Sequence, residues 1–274
     1  MRPFPSVLIL ALLAALAGCS AGGTPSEPAS DQLDPQVNAD LVAVAADGVA
    51  EEVEIMRAPG FDWRLGFFGG PGAGPEMGPC DFARRTCSFT REGLTIARTL
   101  TWYDAAGREM AAYDASQTAS VKIASTVKGS VSRETGGGSW SAEVDRSRTM
   151  TASGLQGDEQ KRTWNGAGAF AVKRTVVREQ TSRSYEITGT LKVTGVEVPR
   201  RNNESKDGWP LAGTIERALT VNTTDRNGDA VSFTRKIVVS FNGTQFASAT
   251  VTRRDGTTET FEIDLATRRA GRQP

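Results

Sequence analysis

The chain has 274 residues, 32 Lys and Arg against 32 Asp and Glu, and no histidine. So even a balance argues against an electrostatic nucleic-acid binder, which needs a basic face. The missing histidine removes Ser-His-Asp and Cys-His nucleophilic chemistry and histidine-bearing zinc sites, and three cysteines are too few for an all-cysteine one.

The first element in chain order is a leader. Arg2 gives it a positive start, and Val7 to Ala17 is an apolar run of signal-peptide length. The run is too short to span a bilayer, which takes about 20 apolar residues. It ends in Leu16-Ala17-Gly18-Cys19. These four residues resemble the bacterial lipobox, in which Leu, a small residue, Gly or Ala, and Cys follow one another. The resemblance implies that residues 1–18 are removed as a lipoprotein signal peptide, that Cys19 carries a diacylglycerol thioether, and that the new amine is acylated, commonly with palmitate. Each buried CH₂ contributes ~0.8 kcal/mol, so one chain anchors marginally and two or three hold firmly. Ser20, where some lipoproteins carry Asp, implies sorting to the outer membrane rather than the inner one. Loss of Arg2 with the leader turns the balanced formal charge into −1.

Residues 19–35 follow as a lipidated flexible tether. The stretch "SAGGTPSEPASDQLDP" has almost no large apolar side chain and cannot repay its chain entropy by burial. A single β-rich domain is expected over 36–268, with a disordered tail at 269–274. It opens with a helix at about 36–57, for which Asp34 is a cap and Pro35 a first-turn residue. Val37, Leu41, Val44, Val49, Val53 and Met56 form its apolar stripe. Asp40, Asp47, Glu51, Glu52 and Glu54 lie mostly off the stripe and read as a solvated face rather than as a cation or partner site. Gly48 weakens the middle by ~1 kcal/mol, so a break or bend is expected there.

The stretch 61–87 is rich in Gly and Pro and reads as a turn-filled surface loop. It holds Cys80 and Cys87, an even pair at short spacing, which in an exported protein reads as a disulfide. Closing so short a loop stabilises by ~2–3 kcal/mol on the chain-entropy model. Beyond Leu94, Thr, Ser, Val, Arg and aromatic residues alternate between short turns. "SYEITGTLKVTG" puts Tyr185, Ile187, Leu191 and Val193 on one side and charged or hydroxyl residues on the other. Asp104–Gly107, Asn227-Gly228, Asn242-Gly243 and Asp255-Gly256 are hairpin signals. Ten to twelve strands with short links and no intervening helices make the class mainly β: a large curved antiparallel sheet, as meander, half-barrel or open sandwich, with one N-terminal helix.

No side-chain constellation points to catalysis, a metal or a cofactor. Asp225 to Asp229 has part of a calcium-loop pattern, but a hairpin turn explains the same residues. Trp102, Tyr103, Trp140, Trp164 and Trp209 suit either a cleft or the core, and the core is favoured. Asp104, Asp114, Glu134, Glu143 and Asp145 read as solvated charges. The expected function is a lipid-anchored, non-catalytic binding or structural module of the cell envelope, attached to the membrane through Cys19. The alternative is a carrier that holds acyl chains against a curved sheet, by analogy of fold alone.

Overall fold

The computed structural model describes residues 35–57, 85–91, 93–135, 138–157, 159–178, 181–200, 208–224, 229–267 and 269–272. The leader, Cys19, the tether up to Asp34, most of the Gly- and Pro-rich stretch with Cys80, and Asn227-Gly228 lie outside them. The described elements are helix α1 (Pro35–Arg57) and strands β1 (Thr86–Arg91), β2 (Leu94–Tyr103), β3 (Glu109–Met110), β4 (Ser120–Thr135), β5 (Gly138–Ser153) and β6 (Lys161–Arg178). They continue with β7 (Thr181–Pro199), β8 (Ala212–Thr224), β9 (Ala230–Ser240), β10 (Phe246–Arg253), β11 (Thr258–Asp264) and β12 (Arg269–Arg272). Residues 269–272, expected as tail, thus add the last strand.

All twelve strands join one antiparallel, open sheet whose order follows the chain, with β3 as a short extra partner of β2. The expected class is what forms, with the meander as its connectivity. Among the described residues, hairpin turns carry the connections β2–β3, β9–β10 and β10–β11. At Asp104–Gly107 the Asp104 carboxylate accepts from the backbone of Ala106 and Arg108, each at 2.9 Å. Gly243 and Gly256 take φ values of 86° and 84°, the left-handed conformation their turns require.

Strand alternation sets the two faces. On β2, Leu94, Ile96, Arg98, Leu100 and Trp102 are buried, while Thr95 and Thr99 between them are exposed. The buried sides of β2 and of β4 to β11 meet in one main core with Val49, Val53 and Met56 of α1. One helix in a common cluster with so many strands means that the sheet curls around it. Gly189 on β7 shows how tightly: a Cβ there would lie 2.4 Å from the Ala218 carbonyl and 2.8 Å from the Phe170 ring. The core tryptophans fall as expected, with Trp102 and Trp164 each 1 % exposed and Trp209 packed partly buried against them. Two smaller apolar clusters lie further along the same face, one around Val127 and Val144 and one around Ile187 and Phe233.

Two expectations about α1 change. The helix runs unbroken through Gly48. Nor is its acidic side a solvated face where its side chains are described: Glu51 and Glu52 are buried and Glu54 is exposed, while the side chains of Asp40 and Asp47 lie outside the described ones. The reason is the curl of the sheet. A helix laid on a flat sheet keeps one side in water, whereas from Ala45 to Met56 this one is enclosed on nearly every side.

Candidate functional site

The enclosed carboxylates find their counter-charges on the sheet. Arg98, Ser125, Arg148, Gly168, Leu191 and Arg217 are successive partners in one row across β2, β4, β5, β6, β7 and β8. The next row toward the β4–β5 hairpin tip runs from Arg146 on β5 through Phe170 and Gly189 to Arg235 and Arg253. Arginine therefore crosses the inner face as a belt. Arg148 holds both oxygens of Glu52 through Nη1, at 2.6 and 2.7 Å, and donates from Nε to Ser125 Oγ at 3.2 Å. Arg146 Nη1 donates to Glu51 Oε2 at 3.2 Å. Arg253 pairs with Glu259.

Arg217 explains Gly48. A Cβ on Gly48 would lie 1.7 Å from Arg217 Nη1, so only a glycine lets the guanidinium lie against the helix backbone. The same guanidinium stands 4.8 Å from the centre of the Phe170 ring, a cation–π distance. Small side chains open the space for these long ones: Gly168 lies beneath the belt, beside a cavity of about 20 Å³ lined by Glu52, Arg146, Arg148 and Arg217. That volume has room for one water.

Burial raises the pKa of Glu51 above its ordinary 4.5, against the pull of Arg146, and neighbouring Glu52 adds to the rise. Hydrogen bonds act the other way on the turn carboxylates. The backbone N–H of Arg108 lowers Asp104, the Ser116 hydroxyl lowers Asp114, and the Thr257 hydroxyl lowers Asp255, all below 3.8. These acids are tied into their own turns. Asp145 pairs with Lys128 across β4 and β5 at 3.0 Å, and Glu134 and Glu143 stand exposed. The structure therefore brings none of the five carboxylates named from the sequence into a facing pair. Cys87 lies half-buried on the edge strand β1, and of the possible calcium loop only Asp229 is described. Among the described residues no group of three or more Cys, Asp or Glu is placed to hold a metal.

The belt is absent from the residues expected from the sequence, yet it has a local signal there. Ile96-Ala97-Arg98-Thr99-Leu100, Ile215-Glu216-Arg217-Ala218-Leu219 and Phe233-Thr234-Arg235-Lys236-Ile237 each place an arginine at an inward position between apolar neighbours. The outward positions instead form shallow open grooves. One, of about 860 Å³, has Thr99, Ala124, Thr126, Ser147, Thr149 and Ala167 on its floor, and another of about 470 Å³ crosses Thr190, Ala218, Thr220 and Thr234. No family model, curated protein or solved structure matches this chain.

Proposed function

We propose that this protein is a lipid-anchored, non-catalytic module of the bacterial cell envelope, held through Cys19 and binding or bracing a partner with its folded body. The packing of α1 against the inner face, among the described residues, carries the reading of the body. α1 occupies the inside of the curl with a closed apolar cluster and buried ion pairs, and the space left beside the belt is about 20 Å³. An acyl-chain carrier needs an apolar cavity of several hundred Å³; among the described residues the helix and its ion pairs take up the inner face instead, which supports a module over a carrier. The carboxylates fixed in turns and the absence of histidine from the chain support the non-catalytic part. Among the described residues no helix is long and apolar enough to cross a membrane, so the anchor in this reading is the lipid on Cys19. Cys80 and Cys87 form a disulfide at the start of the sheet.

Mass spectrometry of the membrane-extracted protein tests the anchor: residues 1–18 should be gone and the mass of Cys19 raised by acyl chains. Cys19→Ala should give a soluble or unprocessed chain, and an Ala variant that remains processed and membrane-bound defeats the anchor. Thiol titration of the unfolded protein should find no free Cys80 or Cys87 before reduction. For the body, delipidated protein should take up no fluorescent fatty acid. Stoichiometric uptake would move the reading to a carrier.

A further inference from the structure

We draw no further inference here: the strongest candidate, the shallow groove that crosses β2, β4, β5 and β6 on the outer face of the sheet over Thr99, Ala124, Thr126, Ser147, Thr149 and Ala167, is a stripe of small residues, and nothing among the described residues shows what covers it.

Discussion

Glu51 and Gly48 sit on one enclosed stretch of helix and make opposite demands. Burial raises the pKa of Glu51 above 4.5, so the folded chain holds this proton more tightly than the unfolded chain does. Its contribution to stability is then fully present below pH 4.5 and is lost as pH rises through the raised folded value. Asp104, Asp114 and Asp255 have folded values below 3.8, and their contribution is lost as pH falls past that point. Urea midpoints should therefore rise on acidification from neutral pH toward 4.5 and fall again below 3.8. Glu51→Gln should flatten the first limb and leave the second, and an unchanged first limb in that variant would refute the assignment. At Gly48, alanine would add ~1 kcal/mol of helix propensity but drive its Cβ into the Arg217 guanidinium. Gly48→Ala should thus destabilise by ~1–2 kcal/mol. In an Arg217→Leu background the same change should become neutral or stabilising, a reversal of sign that a four-protein urea series measures.

At the scale of the element, α1 was readable as a helix but not as an enclosed one. The apolar positions Val49, Val53 and Met56 do face the sheet. The spacing of Glu51 and Glu52 is that of an ordinary wet face, and nothing local distinguishes a wet face from one whose counter-ions arrive from a strand 95 and 96 positions later. The strands, the Asn242-Gly243 and Asp255-Gly256 hairpins and the two core tryptophans were legible because period-2 alternation and turn chemistry are local. The inward arginines broke that alternation on β2, β8 and β9, a local signal that needed the curl to acquire meaning. Enclosure also sets what substitutions on α1 should do. Met56, fully buried, should lose ~2–4 kcal/mol on Met56→Ala. Glu54→Ala, at the exposed position on the same helix, should stay within about 0.5 kcal/mol. Similar losses at both positions would mean that the helix is not enclosed.

For the whole molecule, the sheet is a single meander whose end strands are as necessary to the core as its first ones. β10 and β11 supply Ala247, Ala249, Phe261 and Ile263 to the same cluster as Leu100 and Trp102 of β2. A chain ending before Phe246 should therefore lose the fixed packing of Trp102 and Trp164. It should show little near-ultraviolet dichroism and rapid proteolysis within α1. Retention of a protected helix would show instead that the first nine strands form a core alone.

The strand order has a further consequence in time. A ribosome releases the amino end first, and at about 5–20 residues per second Arg146 and Arg148 follow Glu51 and Glu52, the residues they pair with 95 and 96 positions upstream, only after about 5–20 seconds. During that interval α1 is a newborn helix with no sheet to enter. Its two carboxylates, costly once sealed inside, are then what keeps its apolar stripe in water. The charges buried in the finished protein thus serve first as solubility groups for an element that has to wait for its surroundings to be made.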